Sequence, residues 1–216
     1  MRESTVRTVT EDDFLRSIRN KDTMDTGIMP FGTVAYGKRQ FFQHYLIWRP
    51  ERKSIFEFKG RVGDELKDEM LELAWPCHVF GFKFQKTSFV QAFLWFAKGP
   101  IRSTDDILYA VPLPNQNATA ALCLGDAHVR EIKPDNPIIT SENTIRYIYE
   151  SRFNDDLSQN IPSPPEFGVG AGAKAADVLR AWARWTKTAG EDWRSKVNAV
   201  DWQKPLRVEA ARKVLL

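Results

Sequence analysis

The sequence predicts an α+β protein: a mostly antiparallel sheet meander with flanking helices, plus a C-terminal helical appendage. Three observations predict it. Aromatic-rich apolar runs joined by short polar links recur through the first half of the chain. Two stretches, 61–74 and 141–153, space their apolar residues at helical intervals, and a third helical stripe follows a Pro- and Gly-rich segment at 161–172.

In order along the chain, residues 1–24 are mostly polar and suit a short helix or an arm. Strand signals follow at 32–36, 44–49 and 54–59, and the polar link Pro50-Glu51-Arg52-Lys53 suits a hairpin connection. Within 61–74, Val62, Leu66, Met70 and Leu73 fall at i, i+4, i+8 and i+11 with charges between them, the pattern of an amphipathic helix that Pro76 ends. Runs 78–84 and 89–97 read as paired antiparallel strands. In the first of them Phe80, Phe82 and Phe84 share one face and Gly81 and Lys83 the other. A short apolar piece occupies 107–111. Ile145, Ile148, Tyr149 and Phe153 form one face of a helix over 141–153, with Ser141 or Thr140 as its cap. After the 161–173 linker, Val178, Leu179, Trp182 and Trp185 stripe a helix from about 174 to 188. The division is therefore an N-terminal arm (1–24), an α+β domain (25–160), a linker (161–173) and a basic, Trp-rich helical tail (174–216).

Composition narrows the function. Of 216 residues 43% are hydrophobic and 27% charged, an ordinary globular balance that excludes a disordered or low-complexity chain. A formal net charge of +3 is far from the concentrated basic face of a nucleic-acid-binding domain. Two cysteines, Cys77 and Cys123, cannot form a disulfide scaffold, and three histidines supply a zinc site poorly. No cofactor or metal is expected. The N-terminal residues lack a signal-peptide core, and the apolar run 89–97 is too short to cross a bilayer. These features imply a soluble, cytoplasmic setting without a membrane partner, in which cysteines remain thiols.

The segment 113–125, LPNQNATAALCLG, carries the chemistry. Pro114-Asn115 is followed, eight residues after the asparagine, by Cys123 within the triplet Leu122-Cys123-Leu124. A cysteine between leucines is also ordinary core packing, and asparagines in such a loop are ordinary turn residues. The spacing resembles the active-site segment of the ubiquitin-conjugating enzyme superfamily, in which His-Pro-Asn precedes a cysteine flanked by aliphatic residues. Here Leu113 stands where that pattern has histidine. The prokaryotic branch typified by the PRTRC system protein B family also lacks the histidine. Thr104, Leu108-Tyr109-Ala110, the run from Pro112 to Asn115 and Cys123-Leu124-Gly125 are similar to its motifs. The resemblance covers 75–153, about a third of the chain.

That resemblance implies a ubiquitin-conjugating-like fold and a thioester carrier. Its partners would be a ubiquitin-like protein and the corresponding activating enzyme. Cys123 would be the acyl acceptor, Asn115 the oxyanion donor with Asn117 as alternate, and Asp126 the nearest acid for accepting a proton from an incoming amine. His128 and Arg130 follow closely enough to favour the thiolate, the form that attacks. The family fold places a helix before four strands, whereas the helix expected at 61–74 follows three. A non-catalytic scaffold that keeps the fold for binding is the competing expectation.

Two further features carry alternative readings. Gly168-Val-Gly-Ala-Gly172 lacks the Gly-Lys-Ser/Thr ending of a phosphate loop and follows no strand signal. In 174–216, ten Lys or Arg stand against five Asp or Glu, interleaved with Trp182, Trp185, Trp193 and Trp202. Such a tail suits either weak nucleic-acid binding or a helical extension that packs its tryptophans on the domain.

Overall fold

The computed structural model describes residues 29–39, 41–62, 65–117, 119–125, 129, 132, 136–150, 152–154, 161, 163–170 and 172–215. The arm or helix expected over 1–24 lies outside them. The chain is α+β. It runs β1 (Thr33–Arg39), β2 (Phe42–Arg49), β3 (Arg52–Val62), β4 (Glu65–Trp75), β5 (Cys77–Gln85), β6 (Ser88–Ala97) and β7 (Ile107–Ala110). Then come α1 (Pro137–Glu150), β8 (Arg152–Asn154), a 3-10 turn (Pro165–Phe167), α2 (Ala175–Thr188), α3 (Trp193–Ala199), β9 (Leu206–Arg207) and α4 (Val208–Leu215). No described helix is long and apolar enough to cross a membrane.

One sheet has the order β1-β2-β5-β6-β7-β9, antiparallel at every pairing. The other has the order β4-β3-β8, with β3 antiparallel to β4 and parallel to β8. The larger sheet is buried on both faces, which explains why β6 reads as a nearly continuous apolar run. Phe80, Phe82, Phe84, Leu94 and Phe96 point into one cluster, shared with both strands of the β3–β4 hairpin, α1 and α2. Val79, Phe93 and Trp95 point into a second cluster, closed by Val208, Ala211 and Leu215 of α4. Gly81 lies on this second face by strand alternation, and a Cβ there would sit 2.8 Å from the Trp95 ring.

Four expectations are corrected. The stretch expected as a helix, 61–74, is the end of β3 and nearly all of β4. Burial alternates from Asp68 to Leu73. Leu71 and Leu73 are buried opposite Phe56 and Ser54, while Met70 is exposed. Eleven paired positions along β3 and the apolar face they bury outweigh helix-forming Glu and Lys residues. Second, Pro50-Glu51 does not join a hairpin. It carries the chain from one sheet to the other, because β2 pairs with β1 and β5 while β3 pairs with β4.

Third, the helix around 141–153 starts earlier. Asn136 is its cap, its side-chain oxygen accepting from the Ile139 N–H at 3.0 Å, and Pro137 occupies the first helical position. Thr140 and Ser141 lie buried inside it, with the Ser141 hydroxyl donating to the Pro137 carbonyl. Fourth, Phe153 belongs to β8, paired with Phe58, rather than to the helix.

The helix from 175 to 188 forms as its stripe predicts, with Val178, Leu179 and Trp182 buried. Residues on both sides of 161–173 share one core. Phe167 stacks on Trp182 at 5.8 Å, and Trp202 meets Phe96 edge-on at 4.6 Å. Trp182 and Thr186 also bond the backbone of β4 at Ala74, by Nε1–H to the carbonyl and by hydroxyl from the N–H.

Candidate functional site

The segment after β7 doubles back on itself beside β6. The Cys123 N–H donates to the Asn115 carbonyl at 2.8 Å, and the Asn117 N–H donates to the Ala121 carbonyl at 3.0 Å. The same loop docks on β6 through Leu122 N–H to the Ala92 carbonyl and Leu94 N–H to the Ala120 carbonyl. Ala120, at φ +67°, makes the reversal in a left-handed conformation that non-glycine residues seldom adopt. An extended chain then alternates its side chains. Leu122 enters the core at 3% exposure and Cys123 faces solvent.

Three side chains fix this loop that sequence reasoning did not select. Gln91 donates through Nε2 to the Leu122 carbonyl at 2.7 Å. Gln116 donates to the carbonyls of Leu94 and Ala120 at 2.6 and 3.0 Å. From α1, the Tyr147 hydroxyl donates to the Leu124 carbonyl at 2.8 Å. The backbone is thus anchored on both sides of the thiol, at Leu122 and at Leu124. A single glutamine within the apolar run 89–97 was the available signal for Gln91.

The expected site residues fare differently. Asn115 is half-buried and adjoins Cys123 through the backbone. The Asn117 side-chain oxygen accepts from the Thr119 N–H, the Thr119 hydroxyl and the Ala121 N–H, so it serves the turn itself. Leu113, where the resembled pattern has histidine, is buried in the core at 2%. Asp126 and His128 lie outside the described residues. Among the described residues no three His, Cys, Asp or Glu side chains converge as a metal site would require.

The two thiols have opposite settings. Cys77 is buried and donates to the Glu51 carboxylate at 3.2 Å. Burial first, and then Glu51, pushes its pKa up to about 12, so it remains a protonated thiol at neutral pH. Cys123 alone of the pair is open to a protein-sized reactant.

Of the four tryptophans in 174–216, Trp182 and Trp202 are core residues, with Nε1–H groups satisfied by the Ala74 and Val197 carbonyls. Only Trp185 and Trp193 keep ring surface toward solvent. Several of the basic groups there are paired: Arg180 with Glu69 and Asp177, Arg207 with Asp105, and Lys213 with Glu209. No family model, curated protein or solved structure matches the chain.

Proposed function

We propose that the chain is a ubiquitin-conjugating-like thioester carrier with Cys123 as the acceptor. The observation that carries this reading is the exposed thiol held by its own N–H to the carbonyl of Asn115, eight residues upstream. The order of elements supports it. With the β3–β4 hairpin regarded as an insertion, β1-β2-β5-β6 is a four-stranded antiparallel meander that leads to the cysteine loop and then to α1. The stretch read as a helix after three strands is strand β4, so it is not a departure from that order.

In the reaction, the Cys123 thiolate attacks the C-terminal carbonyl of a ubiquitin-like protein carried as a thioester on its activating enzyme. A new S–C bond forms, the activating enzyme's thiolate leaves, and the acyl group then passes to an amine or another thiol. The tetrahedral intermediate bears an oxyanion that a fixed side-chain amide stabilises. Asn115 is the donor in this reading, as the resemblance implies, while the Asn117 side-chain oxygen braces the turn. Asp126 and His128 keep their roles as proton acceptor and thiolate partner in the proposal. Leu113 anchors the loop by burial where an imidazole would anchor it by hydrogen bonding.

The test is to incubate the protein with an adenylating activating enzyme, ATP and the ubiquitin-like protein of the same gene neighbourhood. A reductant-sensitive adduct that disappears in Cys123→Ala supports the carrier. No adduct, under conditions that charge the activating enzyme, favours a scaffold that keeps this fold for binding.

A further inference from the structure

Away from the cysteine loop, the sheet-to-sheet link at Pro50 and one face of α1 bound a cleft of about 420 Å³. Its ionisable lining is Arg49, Arg52, Arg146, Glu142, Glu150 and Tyr149, three cations against two carboxylates. The cleft is built from the core outward. His78 is fully buried, and its Nδ1 lies 2.9 Å from the Pro76 carbonyl. A carbonyl only accepts, so Nδ1 carries the hydrogen, and Nε2 accepts from the Tyr149 hydroxyl at 2.5 Å. The Tyr149 ring is wedged edge-on by Trp75, His78 and Phe80, each at 5.7 Å.

On this immobilised ring lies the Arg52 guanidinium, 3.8 Å from the centroid. Among the described residues no carboxylate lies within ion-pair distance of it. Beside it, Arg49 uses Nη1 on the Phe31 and Trp48 carbonyls and Nη2 on both oxygens of Glu142 at 2.7 Å. A carboxylate thus already sits on one arginine of a pair whose other member is fixed in place.

We propose that this cleft binds a small phosphate-bearing ligand, with Arg52 as the fixed donor and Glu142 as the internal carboxylate that the phosphate displaces from Arg49. Arginine forks match phosphate and carboxylate oxygens alike. A phosphate monoester has an advantage over the singly charged Glu142, because it carries more charge and enough oxygens to bridge both guanidinium groups. The volume lies toward the small end of organic-ligand sites, which suits a phosphate carrying a modest organic group. Preorganisation by His78 and Tyr149 spares most of the ordering cost of an exposed arginine.

The experiment is calorimetric titration with inorganic phosphate at pH 7 and constant low ionic strength, with acetate as the comparison anion. It uses wild type, Arg52→Gln and Glu142→Gln. Phosphate should saturate one site and acetate should bind more weakly. Loss of the charged donor in Arg52→Gln should weaken binding by about tenfold or more. Removal of the competing carboxylate in Glu142→Gln should tighten it several-fold. Absence of saturation by millimolar phosphate in both wild type and Glu142→Gln overturns the proposal. So does an affinity unchanged by Arg52→Gln, or one that Glu142→Gln leaves equal or weakens. Because neither variant touches the cysteine loop, failure here leaves the charging assay of Cys123 unaffected.

Discussion

Two cysteines of one chain show how environment sorts residues of equal chemistry. Cys77 adjoins a carboxylate inside the core and is held as a thiol, while Cys123 stands at the surface of an anchored loop. The resemblance to the ubiquitin-conjugating pattern, an asparagine eight residues before a cysteine, singled out Cys123 and Asn115, and a backbone hydrogen bond brings the two together. Gln91 and Tyr147 left almost no trace, since each bonds a backbone carbonyl far away in sequence and any carbonyl would serve. In the proposed chemistry Asn115→Ala should slow charging of Cys123 by about 100- to 1,000-fold, the usual effect of deleting one oxyanion donor. Asn117→Ala should slow it much less. Single-turnover charging rates of the two variants, measured beside wild type, check the order; equal rates would remove Asn115 from its role.

Elements differ in how openly the sequence declares them. The helix stripe of 174–188 was legible because its apolar period of 3.6 coincided with real burial, and the pairing of β5 with β6 because two aromatic-rich apolar runs flank a short polar link. β4 was not legible. Its charged residues are good helix formers, and Met70 fits a helical stripe although its side chain is exposed. What decides β4 is its partner β3, eleven residues long and apolar on one face, and that partner is a tertiary fact. The start of α1 was misread for a related reason. Ser141 and Thr140 are good caps by type, yet Asn136 and Pro137 begin the helix one turn earlier. Asn136→Ala should therefore cost about 1 kcal/mol of stability, while Ser141→Ala should leave the helix start intact. Urea midpoints at constant m-value measure the first, and an unchanged midpoint for Asn136→Ala would contradict this cap assignment.

At the scale of the whole molecule, the abundant aromatic residues fill both sides of one sheet. The basic tryptophan-bearing C-terminal part contributes to that core through Trp182 and Trp202. Two histidines make the assembled core sensitive to acid. Burial first, then Arg212 and Lys83, lowers the His44 pKa to about 4. Burial, with lesser contributions from Arg49 and Arg52, lowers that of His78 to about 3 against the opposing Pro76 carbonyl. The unfolded chain, with histidine pKa near 6.5, takes up protons that the folded chain refuses. Stability contributed by these neutral imidazoles is therefore full above about pH 6.5 and declines as pH falls toward 4. Denaturation midpoints between pH 7 and 4.5 should fall, and less steeply in His44→Gln; a flat profile would contradict burial of neutral imidazoles. The most direct test of the central claim is the intact mass of the protein after charging with the activating enzyme, ATP and the ubiquitin-like protein. The account predicts one added ubiquitin-like protein, released by thiol reductant, retained in Cys77→Ser and absent in Cys123→Ala. A full-size adduct that persists in Cys123→Ala would contradict it.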